Sequence, residues 1–486
     1  MNVGDEIELA IDKLAFGGEG VGYILIDGKK LIIFVEETVP GDVIIVRIGS
    51  KKRNFARGYV KKIVTPSPLR IAPRCRHFGG NISVNALETP LNANEVSTFE
   101  KGCGGCFWQF LDIANQLKIK EQHVRDALQR IGGVNNNVVL PIIRGEPWFY
   151  RNKLEFSFSK SLDNGIIGLG LHLRRRHHDV VELTECFLLA PFIGDLVQKV
   201  RQFFRDFFGA LPAARAEDDL VLKSFTVRIG KNTGQMMLIL SAENGQPIFL
   251  PQFKEEILAY CKEKHLELTS LYFIHEINQK GNPKRYNEQL LYGHPVIKEE
   301  LYLPDGQKLC FKISPLAFFQ TNTKQTEKLY SAVLAAASLK SNEIVFDLYC
   351  GIGTISLFCA KEAKKVYGIE LNTDAIKNAR ENAVLNEINN VEFFAGDVAK
   401  ILPFLSQKPD IIIVDPPRSG LAPKVIESIT ALKPKKLVYV SCNPASLARD
   451  AKLLIQAGFT LKTVQPIDMF PQTYHIEAVA TFIAAY

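Results

Sequence analysis

A cysteine, a pair of possible bases and a row of acids at strand ends are the residues of this chain whose types and spacing could do chemistry. Cys442 stands in Ser-Cys-Asn-Pro (441–444), where an apolar run ends and a helix can start at Pro444. A helix N-terminus beside a thiol is expected to lower its pKa. A lone cysteine is more often inert core material, yet this one sits at the tip of a strand. A thiolate there can add to carbon 6 of a uracil ring. The enolate that results makes carbon 5 nucleophilic toward a methyl sulfonium. A base then removes the carbon-5 proton and the thiolate leaves. The base is sought in Met-Phe-Pro-Gln-Thr-Tyr-His-Ile-Glu (469–477), where His475 and Glu477 are equal candidates by residue type. Asp-Pro-Pro-Arg-Ser-Gly (415–420) adds Asp415 and Arg418, available to hydrogen-bond a base edge from a loop stiffened by two prolines.

A second constellation suits a nucleoside. Asp347 ends a strand-like run and is followed by Leu-Tyr-Cys-Gly-Ile-Gly-Thr, so Gly351 and Gly353 let a ligand approach the backbone. With two glycines in D-x-x-x-G-x-G, the loop suits a pyrophosphate less than a nucleoside with an amino-acid tail. Glu370 ends the next strand, placed to accept from ribose hydroxyls, and Asp397 follows the third, where an adenine amino group could be met. Acids at strand ends are common loop residues singly. The ordered set Asp347, Gly351, Gly353, Glu370 and Asp397 points to S-adenosylmethionine.

Such residues need a parallel sheet beneath them. Strands are expected at Glu343–Leu348, Lys365–Glu370, Val391–Ala395, Asp410–Asp415 and Lys436–Ser441, with two more near Thr460 and at Ala478–Ala484. Their alternation with helical stretches implies a doubly wound α/β fold. Residues 1–64 read instead as a small all-β unit of the oligonucleotide-binding type, with runs at Ile7–Ile11, Leu31–Val35, Val43–Ile48 and Gly58–Ile63 and a Gly-rich turn at 16–22. A helix is expected over 107–131, with Phe110, Ile113, Leu117, Val124, Leu128 and Ile131 on its apolar face, and 150–303 mixes strand and helix patterns.

The chain has 486 residues and a net charge of +7. The charge is unevenly spread: ten Lys or Arg and no acid fall between Val43 and Arg76. Lys51, Lys52, Arg53, Arg57, Lys61 and Lys62, with Phe55 and Tyr59 interleaved, suit phosphates and stacked bases; the bland alternative is a solvated basic edge. Arg151 and Lys153, in Tyr-Arg-Asn-Lys (150–153), and Arg174, Arg175, Arg176, His177 and His178 form further basic clusters. Nine cysteines, an odd number scattered widely, do not read as a disulfide framework. The start, Met-Asn-Val-Gly-Asp-Glu, lacks a basic stretch followed by an apolar run, so a cytoplasmic protein without a membrane partner is expected.

D-L-Y-C-G-I-G-T, V-D-P-P-R-S-G-L, S-C-N-P and F-P-x-T-x-H-I-E occur together in the order and spacing of one family. Over nearly its whole length the chain resembles the bacterial 23S rRNA (uracil-5-)-methyltransferases, relatives of the tRNA uracil-5-methyltransferase. The resemblance implies a TRAM barrel over 1–64, a central α+β domain over 65–305 and a Rossmann-like class I methyltransferase domain over 306–486 with a seven-stranded, mostly parallel sheet. It implies that the helix at 107–131 packs on the catalytic domain. It makes Cys442 the nucleophile and Glu477 the proton acceptor. Gln320, Tyr349, Thr354, Glu370, Asp397 and Asp415 match its cofactor positions. Cys75, Cys103, Cys106 and Cys186 match the ligands of its four-iron, four-sulfur (4Fe-4S) cluster. Twenty-seven residues separate Cys75 from Cys103, longer than the family pattern, and Asn81–Ser97 reads as an inserted polar loop that costs little in closure entropy. On spacing alone the four thiols could equally hold zinc. A tRNA target and a catalytically silent rRNA-binding assembly factor are the rival readings. A cytosine-5 methyltransferase is disfavoured by S-C-N-P, and a radical methylthiotransferase by the lack of a C-x-x-x-C-x-x-C triplet. No obligate protein partner is evident, and a monomer is the default.

Overall fold

The structure, a computed structural model, describes residues 1–79, 102–160, 167–174, 176–209, 220–244, 247–277 and 285–485, with backbone alone at 160 and 176–178. The stretch 81–97 and Arg175 therefore lie outside the described residues.

The N-terminal strands are Glu6–Ala10, Lys13–Leu14, Gly20–Ile26, Lys29–Val35, Val43–Lys51 and Phe55–Thr65, in the spatial order first, fifth, sixth, fourth, third, second. Period-two alternation turns Ile33, Val35, Ile44, Val46, Ile48, Ala56 and Val60 inward to a small core. The Gly-rich stretch is not all turn: Gly20–Ile26 is a strand. Gly22 is required there because a Cβ would lie 2.3 Å from the Ala10 carbonyl.

The central sheet has seven strands, Lys153–Lys160, Ile167–Leu173, Arg176–Glu182, Val221–Ile229, Met236–Glu243, Leu268–Ile277 and Arg285–Gly293, ordered seventh, sixth, fifth, fourth, first, second, third. Helices Ile193–Gly209 and Leu250–Glu263 cover one face. Alternation along Met236–Glu243 sends Leu238 and Leu240 toward Phe204, Phe249 and Phe253, and Met237 and Ile239 toward the core of the C-terminal region.

The helix expected over 107–131 is shorter. It spans Ile113–Ala127, capped by Asp112, whose side chain accepts from the Asn115 N–H, and continues as one π-turn over Leu128–Gly132. Residues 107–112 are not helical, and Ile131 is exposed. Its buried face is partly polar: Gln116 and Lys120 are fully enclosed beside Val124 and Leu128. The apolar-period argument fails here because these two polar side chains find partners across the interface, described below.

The C-terminal sheet has strands Ile344–Leu348, Lys365–Glu370, Val391–Ala395, Ile411–Val414, Lys436–Ser441, Phe459–Ile467 and Glu477–Ala484 in the order third, second, first, fourth, fifth, seventh, sixth. The first five are parallel; the seventh runs antiparallel between the fifth and sixth. This is a class I methyltransferase fold. The strand order reverses between the first and fourth strands, which opens a crevice at their carboxyl ends.

Candidate functional site

That crevice is a cavity of about 1480 Å³. Gln320, Tyr349, Gly351, Thr354, Glu370, Asp397, Asp415, Cys442 and Glu477 all line it, with Arg151, Arg418, Phe470 and His475. Two residues from the sequence reading do not. Asp347 is fully buried and accepts a 2.5 Å hydrogen bond from Ser356 Oγ, leaving its Oδ1 without a partner. Gly353 lies at the N-cap of the helix Thr354–Ala360 with φ +81°, and a Cβ on it would come within 2.9 Å of the Phe393 ring. Both support the loop from beneath rather than facing the cavity.

On the cofactor side, Glu370 accepts from the backbone N–H of Gly351 (3.2 Å) and of Asn372 (2.9 Å), tying the first and second strand ends together. Asp397 is exposed and makes no capping bond to its own helix, so its carboxylate is available to a ligand. Tyr330 and Thr354 share a 2.8 Å hydroxyl contact. The Gln320 carbonyl is held by Asn152 Nδ2 at 2.8 Å.

On the opposite side, the Asp415–Gly420 loop and the Ser441–Pro444 loop are joined by a 3.1 Å bond from Asn443 Nδ2 to the Arg418 carbonyl. The expected depression of the Cys442 thiol pKa is not found. Burial pushes it up to about 11, the charges of Glu477 and Asp415 add to this, and Arg418 opposes it. A helix N-terminus is outweighed here by enclosure and two nearby acids. Burial likewise raises Asp415 to about 7 and carries Glu477 well above the usual carboxylate range, with Asp415 adding to the latter and Arg418 opposing. His475 moves the other way: burial, then Arg418, Lys120 and Arg151, lower it to about 4, so the imidazole is neutral. The cavity thus holds a thiol and two acids whose pKa values are all raised, and a neutral histidine carrying one donor and one acceptor.

The four cysteines converge on a second, small cavity lined by Cys75, Cys103, Cys106 and Cys186. Burial raises all four thiols, Cys75 to about 11 and Cys186 to about 12. Nearby hydrogen-bond donors oppose this rise, among them the Gly105 N–H, 3.4 Å from Cys103 Sγ. Such donors favour thiolates. The group whose ligand atoms all lie within 4.8 Å is Cys75, His77 and Glu185, not the four thiols. Sulfurs around one zinc sit about 3.8 Å apart, given Zn–S bonds of about 2.3 Å. The four thiols do not all lie within 4.8 Å of one another.

The basic residues divide. Lys52, Arg53 and Lys62 are exposed and Lys61 half-buried. Lys51 bonds the Met1 carbonyl, and Arg57 is paired with Glu19 and lies over Phe34 and Phe55. Tyr59 is exposed, whereas Phe55 is half-buried against Phe34. Lys153 pairs with Glu155. Two expected surface cations are interior: Arg151 lines the large cavity, and Arg174 is locked to Glu37 at 2.7 Å while donating to the Cys106 carbonyl. The sequence reading missed Asn152, Gln116 and Gln472, whose roles depend on partners more than 100 residues away.

Known proteins resemble this chain along most of its length. A tRNA (uracil-5-)-methyltransferase family profile matches residues 264–398, and a methyltransferase-domain profile matches 339–467. Uncharacterized RNA methyltransferases from Listeria monocytogenes and Clostridium tetani are 37% and 34% identical, over 97% and 99% of this chain and 96% and 98% of theirs. The crystal structure of Pyrococcus abyssi tRNA (uracil-54, C5)-methyltransferase, in complex with S-adenosyl-L-homocysteine, superposes with a TM-score of 0.69 at 25% identity, covering 98% of this chain and 100% of that one. The sheet order, the motifs around one cavity and these full-length likenesses agree: the chain belongs to the RNA (uracil-5-)-methyltransferase family.

Proposed function

We propose that this protein methylates carbon 5 of one uridine in 23S rRNA, with S-adenosylmethionine as donor and Cys442 as covalent nucleophile. The observation that carries the reading is the shared cavity: Cys442 and Glu477 on one side, and the nucleoside-ligand set on the other. Gln320, Tyr349, Gly351, Thr354, Glu370 and Asp397 would hold the donor, with Asp347 and Gly353 shaping the loop. When bound, S-adenosylmethionine supplies an electrophilic methyl group.

The protein's own residues do the rest. The target base must leave its stack to reach Cys442 inside the crevice. Arg151 and Arg418 then offer cationic donors to the ring oxygens, where negative charge develops. Cys442 gives its proton to Asp415 and adds to carbon 6. After carbon 5 is methylated, Glu477 accepts the carbon-5 proton and the carbon–sulfur bond breaks. Neutral His475 can hydrogen-bond the base without adding charge.

Cys75, Cys103, Cys106 and Cys186 would hold a 4Fe-4S cluster, a reading supported by the four thiols lining one small cavity. That centre and the basic N-terminal sheet favour a ribosomal target, with Lys52, Arg53 and Lys62 on phosphates and Tyr59 against a base. We place the protein in the cytoplasm; no helix among the described residues is long and apolar enough to cross a membrane. The second reading, a tRNA target, draws on the full-length likeness to the archaeal tRNA enzyme.

The test is trapping with 5-fluorouridine RNA, because fluorine cannot leave as a proton. Wild type should form a denaturation-resistant complex with 23S rRNA, and Cys442→Ala should not. A complex with tRNA alone would select the second reading. RNA binding with no adduct and no methylation of ordinary RNA would leave only the silent assembly factor.

A further inference from the structure

Sequence distance separates the four cysteines from the methyl-transfer motifs, but hydrogen bonds do not. Cys106 is followed by Phe107 and Trp108, whose backbone N–H groups both donate to the Gln472 carbonyl, at 2.8 and 3.0 Å. Gln472 also exchanges two 3.0 Å bonds with the Gln116 amide. Lys120 holds the Phe470 carbonyl and Tyr150 Oη the Pro471 carbonyl. The Phe107 ring packs edge-on to Tyr474, at 4.9 Å between centroids, and Tyr474 lies 4.2 Å from His475. This arm ends on the segment bearing His475 and Glu477.

A second arm leaves Cys186. The Phe187 and Leu188 carbonyls accept from Phe149 N–H (2.7 Å) and Arg151 N–H (2.8 Å). Asn152 then bonds Thr321 through its N–H and the Gln320 carbonyl through its side chain. Arg151 and Gln320 both face the cavity.

Each arm passes through a non-glycine residue with left-handed backbone: Gln472 at φ +66° and Phe149 at φ +52°. Such conformations persist where the surroundings over-determine them. Here the surroundings are the chain segments adjoining the cysteines.

We infer that the four-thiol centre is a positioning device for methyl transfer, holding His475 and Glu477 through one arm and Arg151 and Gln320 through the other. The inference rests on reading those thiols as ligands of a metal cluster. With the centre assembled, the cysteine loops are fixed and both left-handed residues are held. Without it, Gln472 and Phe149 relax and the two cavity walls lose register. The centre therefore governs the chemical step rather than RNA capture.

The experiment compares the full-length protein as isolated with the same protein stripped of iron anaerobically by a chelator. Iron and sulfide content is measured first. Amide hydrogen exchange is expected to quicken by about tenfold or more over 469–475 and 149–152, while 391–395 is unchanged. The rate of 5-fluorouridine adduct formation should fall by about tenfold or more, with RNA affinity within about threefold. Gln116→Leu and Tyr150→Phe cut the first arm without touching a thiol; they should keep full iron yet show the same fast exchange over 469–475 and slow adduct formation. Unchanged exchange after iron removal, or RNA affinity falling in step with the adduct rate, overturns the positioning role and leaves the cluster reading intact. A native protein with no iron or sulfide overturns the cluster reading itself.

Discussion

At the scale of single residues, the site's chemistry is set by enclosure. To act as the proposed nucleophile, Cys442 must lose its proton, and burial raises its pKa to about 11. The thiolate fraction thus grows about tenfold per pH unit below that value. Asp415, raised to about 7, loses its proton in the same direction. Adduct formation should therefore climb from pH 7 to pH 9, measured by single-turnover trapping; a flat profile would mean that deprotonation does not limit attack. Stability runs the other way. Asp347 and Asp415 have folded pKa values raised from 3.8 to about 7, so their contribution is fully present below pH 4 and is lost as pH rises through 7. Asp415→Asn should flatten that decline in a thermal-shift series, provided no ligand is present. On the proposed mechanism, Glu477→Gln separates the last two steps. Carbon 5 can still receive its methyl group, but its proton has no acceptor, so a methylated protein–RNA complex should accumulate with ordinary RNA. Turnover with no such complex would hand the base role to His475.

At the scale of elements, strand ends were the most legible features. Three of the five parallel strands of the C-terminal sheet, Lys365–Glu370, Val391–Ala395 and Lys436–Ser441, match the bounds expected from their apolar runs. For Lys365–Glu370 and Lys436–Ser441, a largely buried parallel strand leaves little choice of residue; Val391–Ala395 is the edge strand, with only Phe393 buried. The helix Ile113–Ala127 was less legible because it buries Gln116 and Lys120. Lys120 pairs with Asp468 at 2.6 Å, with both side chains enclosed, and the second Asp468 oxygen has no partner. Removing one member of such a pair strands the other charge. Lys120→Met should cost about 3–5 kcal/mol in denaturant unfolding, whereas Lys120→Met with Asp468→Leu should recover much of it. If the single variant is as stable as wild type, the helix is not anchored by this pair. Arg151 and Arg174 misled for the same reason: a cation in sequence carries no sign of the acid, carbonyl or cavity that will receive it.

At the scale of the whole molecule, the sequence marked the ligand sets but not how they are joined. Cys75, Cys103, Cys106 and Cys186 were recognisable as a set by resemblance, while residue type and spacing left zinc and iron–sulfur equal. The structure adds that all four line one small cavity. The central sheet, whose strands could not be ordered from pattern, is the element that connects the regions. Sequence periodicity shows that a strand is buried on both sides but not which neighbour covers each side. Met236–Glu243 is such a strand, its alternate residues divided between the core under Phe204 and the core of the catalytic region.

That division has a thermodynamic corollary. A strand whose two faces belong to different cores cannot be lost from one without opening the other. The central and catalytic regions should then melt as one cooperative unit: a single calorimetric peak for both, with calorimetric and van't Hoff enthalpies in agreement. The N-terminal sheet has a core of its own but is tied to the central region through Leu14, Val39 and the Glu37–Arg174 pair. Two separate peaks for the central and catalytic regions would show that the shared strand transmits no cooperativity.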